Sequence, residues 1–478
     1  MKIFPIGFHQ LKTSPVALHT DSALAELRAL SNLINSSIDV IESSLASRGE
    51  KFPSPYEPFS KETESPRMAP DVRSASSNVV AAAAQLIASI RPPTSTIVIT
   101  ATQFHVPSCL RAAVEVHAAE VLRDIGLQGL HVKGIAAPTG VDSEKLGTKM
   151  AKLYAFSVNG TPARILRLLA TNHIFTEVSP DVFANNRISS LLDTGKPIEE
   201  IINSPQDKYH GTVGIGALIE HATDDAFKTS SYLTDALTDP KWTSSEEPNQ
   251  TALNLAFKTD LTAFEWFELP ENARRLRRFG LAMKANQEMT PQDEILGGFE
   301  WKSLPPGAVI VDVGGGIGSM CLTLAKAHGH LSFVLQDREA IIKDAVKKAK
   351  ITPAVFVLRA ILHDWSDKYC IIILRHLRAA AGPKTQLVIL DSIVSYACPE
   401  PSSSITGSSF PPPPAPLLAN GGYANSRGYL MDMQMLIGFN GSERTVPQFD
   451  KIFDEGGWKL VKVHRRPGTF SHIIGVPK

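Results

Sequence analysis

The chain has 478 residues, more than one hydrophobic core organises, so it requires two or three domains. Its 48 Lys and Arg balance 48 Asp and Glu, and this zero formal charge gives no global field for nucleic acid or an anionic membrane; a small neutral substrate fits better. The four cysteines, Cys109, Cys321, Cys370 and Cys398, lack metal-site spacing and disulfide-scaffold density, which suits a reducing cytoplasmic setting, and no stretch approaches the ~18 to 20 apolar residues of a membrane span.

In chain order, apolar residues from Leu24 to Leu45 recur at three- and four-residue steps and predict a helix over 21–45. Residues 51–75, rich in Pro, Ser and Glu, read as a mobile linker, and a second helix is expected over Asn78 to Ile90. Short helices and a small strand at His173 to Val178 over 108–193 suit a winged-helix module. Pro270 to Met289 reads as an amphipathic helix whose arginines, Arg274, Arg275, Arg277 and Arg278, form a solvated face. After Trp301, buried-strand patterns at Val309 to Val313, Ser332 to Leu335, Ala354 to Leu358 and Gln386 to Leu390 alternate with helical stretches, the signature of a parallel α/β sheet. Residues 396–426, with Pro411 to Pro414 inside, form a low-complexity loop. Trp458 to Val463 and His472 to Val476, joined through Pro467 and Gly468, predict an antiparallel edge. The expected partition is a helical and winged-helix-like dimerisation and substrate domain over 1–285 and a doubly wound, Rossmann-like domain over 286–478.

Between the first of these strands and a helix starting near Ser319 lies a D-x-G-x-G-x-G loop, with Asp312, Gly314, Gly316 and Gly318 in its frame. Glycines there let the backbone approach a ligand closely. A dinucleotide loop would place a further glycine where Ser319 stands, and its pyrophosphate favours a helix N-terminus free of acid. S-adenosylmethionine has no phosphate and carries a sulfonium cation, so acidic residues are acceptable. Asp337, at the end of the next strand, is placed to accept hydrogen bonds from ribose hydroxyls.

A second motif, LRAILHDW at Leu358 to Trp365, also opens from a strand end. With VDVGGGIG, with YLMDMQMLIGFNGSERT at Tyr429 to Thr445 and with IFTEVSPDVFANNRISSLLDTGK at Ile174 to Lys196, the chain resembles the plant and fungal S-adenosylmethionine-dependent aromatic O-methyltransferases, including the sterigmatocystin type. The resemblance implies transfer of a methyl group to a hydroxyl of an aromatic, phenolic or polyketide secondary metabolite, with no metal required. It implies His363 as general base, Glu443 and Asp391 as its acidic neighbours, Arg359 as a contact of the methyl donor, and a homodimer formed through N-terminal helices. An imidazole near pKa 6.5 suits a positioned base. Met431, Met433, Met435, Phe264, Trp266, Phe267 and Met283 are candidates to line an aromatic pocket, though ordinary core packing is the better reading for any one of them.

Two departures qualify the resemblance. Asp337 and His363 lie 26 positions apart, room for one helix over Ala340 to Lys350 and one strand, so the sheet is expected to lack an outer edge strand. Residues 148–161 read as an insertion within a helix. One altered transcript would explain both. The competing expectations are a catalytically impaired methyltransferase-like module that binds or dimerises, and a nicotinamide-dependent oxidoreductase, which Ser319 disfavours.

Overall fold

A computed structural model of the chain describes residues 23–139, 164–288, 293–338, 352–400, 403–409, 411–466 and 470–478. The expected insertion at 148–161, the helix over 340–350 and the turn at Pro467 and Gly468 lie outside the described residues.

Helices α1 (Ala23–Arg48) and α2 (Pro70–Ile90) pack along the predicted apolar stripe, with Ile41 and Leu45 against Val72 and Ala75. The segment 51–75 is ordered, contrary to the linker expectation. Ser60 and Thr63 form a capping box, Glu64 pairs with the buried guanidinium of Arg187 at 2.6 Å, and Pro70 opens α2 eight residues before Asn78. Proline and serine here start helices rather than break them. Helix α3 (Pro93–Thr102), rich in β-branched residues, carried no sequence signal as a helix.

Next come α4 (His105–Glu115), β1 (Leu130–His131), α5 (Arg164–Thr171), β2 (Thr176–Ser179) and β3 (Val182–Ala184). The strands form a small antiparallel sheet in the order β1-β3-β2 around a core containing Val114, Ile135, Leu169 and Phe183. The strand expected at His173 begins only at Thr176, because His173 and Phe175 have left-handed backbone (φ 63° and 69°) incompatible with a strand. Helix α6 (Ile215–His221) runs into a π-helical turn, Ala222–Ala226, and packs on α7 (Ala273–Glu288). The arginines of α7 are not uniformly a solvated face. Arg278 is buried and donates to Glu220 at 2.7 Å, to Asp224 at 3.0 Å and to Asp225, while Arg275 reaches Asp225 at 2.9 Å. Arg274 and Arg277 remain exposed.

The C-terminal half is built on β4 (Val309–Val313), α8 (Ser319–Ala327), β5 (Ser332–Gln336), β6 (Val355–Arg359), α9 (Asp367–Ala380), β7 (Gln386–Asp391), α10 (Ser426–Phe439), α11 (Val446–Glu455), β8 (Trp458–His464) and β9 (Ser471–Pro477). One six-stranded sheet runs β5-β4-β6-β7-β9-β8, its first four strands parallel and the last two antiparallel, as the strand pattern predicted. Alternate residues of β6 enter two cores: Phe356 and Leu358 meet Leu374 and Phe453 on one face, and Val355 and Val357 meet Ile310 and Leu324 on the other. Among the described residues of 396–425 there is no regular strand or long helix, but they are fastened. Arg465 donates to Glu400 at 3.0 Å and to the Ser408 carbonyl at 2.9 Å, and a helical turn, Gly422–Asn425, closes the segment.

Replacing Arg278 by Met removes the guanidinium that three buried acidic side chains share; Asp225 keeps Arg275 and Asp224 keeps Lys228, but breaking such a buried pair costs roughly 3–5 kcal/mol. A marked fall in the urea midpoint is expected, larger than that of Arg277→Met on the exposed side of the same helix.

Candidate active site

Strands β4 and β6 are parallel neighbours, with Asp312 opposite Val357, so their C-terminal ends open at the same edge of the sheet. The glycine loop leaves β4 there. Gly314, Gly316 and Gly318 have φ of 72°, 58° and 81°, and Gly318 caps α8. A Cβ on Gly314 would overlap the end of the Ile361 side chain, and the positive φ there is itself strained for any other residue, so glycine is favoured where the two strand-end turns meet. Asp337 accepts from the Gly316 amide at 2.6 Å and lines the cavity above the loop. Asp312 lies beneath the loop, buried and outside the cavity lining; it accepts from the Cys321 thiol at 3.3 Å, and burial pushes its carboxyl up to about 6. Gly318 is likewise behind the lining, whereas Gly314 and Gly316 face the cavity.

The turn after β6 begins at Ala360, which has left-handed backbone (φ 54°), and brings His363 back over the sheet edge. The imidazole Nδ1 is 2.9 Å from Oε1 of the fully buried Glu443 side chain, and Nε2 is 3.7 Å from Asp364. Burial of the ring opposes its charge, yet Asp364, Glu443 and Asp391 together outweigh it and the imidazole is pushed up to about 10. Asp391 is entirely buried and neither of its carboxyl oxygens has a hydrogen-bond partner; burial pushes it up to about 7. It does not line the cavity and acts on the ring through space.

The GSERT segment explains how the ring is held. A Cβ on Gly441 would fall 2.0 Å from the His363 carbonyl oxygen, so only glycine lets the two turns meet. Arg444, almost completely buried, donates to the carbonyls of Leu362 at 2.8 Å and Trp365 at 2.7 Å and to Asp367 at 2.9 Å. Glu443 therefore fixes the imidazole while its neighbour fixes the backbone carrying it. Sequence reasoning missed Gly441, Arg444 and Asp364, although all three sit inside the motifs already singled out.

Arg359, at the tip of β6, also lines the cavity. Its guanidinium is 3.2 Å from the buried Glu294 and 5.2 Å from the Phe470 ring. Glu294 carried no sequence signal; burial pushes its carboxyl up. Gly314, Gly316, Asp337, Arg359, His363 and Asp364 border one cavity of about 2230 Å³. Phe264, Phe267, Met283, Met431, Met433 and Met435 line it as well, whereas Trp266 is packed behind them. The residues present fit S-adenosylmethionine: a close-approach backbone at Gly314, open space above Gly316, and an acid, Asp337, at the loop rather than an anion-binding helix end.

No family model matches the chain. An O-methyltransferase of Armillaria gallica is 42% identical over 95% of this chain and 99% of its own length. 4-O-methyltransferase 1 of Phanerochaete chrysosporium is 35% identical over 92% of this chain and 96% of its own. Among solved structures, OxaC in complex with SAH and oxaline matches 94% of this chain and 100% of its own at a TM-score of 0.60 and 18% identity, a likeness of fold. With relatives this similar end to end, and with the glycine loop and the HDW histidine on one cavity, the chain belongs to the S-adenosylmethionine-dependent O-methyltransferases.

Proposed function

We propose that this O-methyltransferase acts on a hydroxyl of an aromatic, phenolic or polyketide-derived secondary metabolite, with His363 as the base that removes the hydroxyl proton. The observation that carries this is the 2.9 Å contact between His363 and a buried glutamate, on the same cavity as the glycine loop. Bound S-adenosylmethionine supplies the methyl group. Gly314, Gly316, Asp337 and Arg359 would hold it, with Asp312 and Gly318 shaping the loop from behind.

In the neutral ring Nδ1–H donates to Glu443, which leaves the Nε2 lone pair for the hydroxyl proton. Glu443 also stabilises the imidazolium that results, and Asp364 and Asp391 add to it. A phenol of the tyrosine type ionises near about 10, close to the raised value of the ring, and matched basicity is what a general base requires. The aromatic and thioether wall gives a flat acceptor its contacts. OxaC, which shares the fold, was solved in complex with SAH and oxaline.

We further propose the finer architecture: a winged-helix-like dimerisation and substrate domain over 1–285, a methyl-donor domain over 286–478, and a sheet shortened by one edge strand beyond β5. Support for the last is that β5 ends the sheet among the described residues. Helix α3 presents Ile97 at 70% exposure, and α2 presents Ile87 and Ile90, an apolar surface of the kind a second copy would cover. No helix among the described residues is long and apolar enough to cross a membrane, and a cytoplasmic location fits four free cysteines. The impaired-module alternative is not favoured, since relatives alike from end to end are O-methyltransferases.

Replacing His363 by Ala is expected to lower kcat by about 10²–10⁴-fold while calorimetric binding of S-adenosylmethionine stays the same; a wild-type rate would remove the base assignment. Because the ring is raised and works deprotonated, kcat/KM should rise with pH to a midpoint well above 6.5. Glu443→Gln removes a negative charge that raises the ring, so its midpoint should move to lower pH while kcat falls; an unmoved profile would assign Glu443 a purely structural role. Sedimentation at micromolar concentration should give a dimer, and Ile97→Asp should yield monomers.

A further inference from the structure

The wall of the same cavity holds a second histidine that the reaction above does not use. His221 is the last residue of α6, where the helix passes into the π-helical turn Ala222–Ala226. Such turns are rare and concentrate at functional sites. His221 stands just before this turn and Asp225 within it, 3.7 Å apart, and both border the cavity. Resting on the function proposed above, we propose that His221, oriented by Asp225, holds a second hydroxyl of the methyl acceptor, so that the enzyme selects dihydroxy and polyhydroxy aromatic compounds.

Asp225 is buried and fixed by Arg275 at 2.9 Å and by Arg278. The Nδ1 atom of His221 is shielded from solvent, faces this carboxylate and has no hydrogen-bond partner. A carboxylate held between two guanidiniums accepts and does not donate, so it selects the tautomer with the proton on Nδ1. The Nε2 lone pair on the other edge of the ring is then free for a donor in the cavity. A hydroxyl is such a donor, and binding it draws Nδ1–H toward Asp225.

The surroundings define the rest of the ligand. The His221 ring stands edge-on to Phe279 at 5.4 Å and lies 6.1 Å from Phe267. Phe279 is 6.3 Å from Phe264, which is 5.3 Å from Phe439 of α10 and 5.6 Å from the guanidinium of Arg338, next to Asp337. A continuous series of rings thus leads from His221 to the glycine loop. A histidine that served packing alone would lie behind the wall; this one is part of it, with Nδ1 turned toward a fixed carboxylate.

The test compares catechol, resorcinol and hydroquinone with the methylphenols in which one hydroxyl becomes a methyl group. Both equilibrium binding by calorimetry and methyl transfer from labelled S-adenosylmethionine are measured. At least one diphenol should be preferred over its methylphenol by on the order of tenfold, mostly in KM, as for a site that hydrogen-bonds a hydroxyl. His221→Phe should bring that ratio near one with unchanged affinity for S-adenosylmethionine, and His221→Gln, whose amide oxygen accepts, should retain part of it. No preference in the wild type, a preference that survives in His221→Phe, or an equal loss for both compounds would overturn the proposal. A binding preference without any methyl transfer would instead sink the function proposed above and leave this site standing.

Discussion

The arrangement rests on the parallel pairing of β4 with β6. Neighbouring parallel strands end at the same sheet edge, and the register that sets Asp312 opposite Val357 releases the glycine loop and the histidine turn at one level. The two turns then have to share space. Ile361 occupies the volume a Cβ would need at Gly314, and Ala360 accepts left-handed backbone to bring His363 back over the edge. A left-handed alanine costs roughly 1–2 kcal/mol, and the strand beyond it offsets that cost, with the Ala360 amide donating to Leu390 at 3.0 Å.

What the sequence made legible follows from how local each signal is. The strands around the site announce themselves because a doubly covered parallel strand must be apolar on both faces, as Val355 to Leu358 are. The loop and the histidine were legible because chemistry confines their residue types to a few positions. Glu294 was not, since its role depends on a fold that brings α7 and the stretch after it under the tip of β6. Arg278 misled for a related reason: charge on a helix reads as solvated until the acids it meets, here Glu220, Asp224 and Asp225 from fifty residues upstream, are placed beside it. The stretch 51–75 misled through composition, because Ser60 and Pro70 are helix starters only when helices follow.

Asp312 shows how a motif residue and a lining residue differ. The frame that makes it recognisable places it under the loop, where it bonds Cys321, while Asp337 supplies the acid that reaches the cavity. The acid at the start of the frame shapes the turn, and the acid after the next strand meets the ligand space.

The electrostatics around His363 bear on which hydroxyls the cleft can deprotonate. Three acidic side chains face the ring, and burial keeps water from screening them, so the imidazolium is favoured although the ring itself is desolvated. In the mechanism proposed above a hydroxyl proton crosses to that ring in the transition state, and the transfer is easiest where the two groups have similar affinity for it. Phenols meet that condition; an aliphatic hydroxyl, which holds its proton about as tightly as water does, does not. With His363 as the proposed base, the same carboxyls that hold the imidazole in place would bias the reaction toward aromatic hydroxyls before any contact with the rest of the acceptor is made.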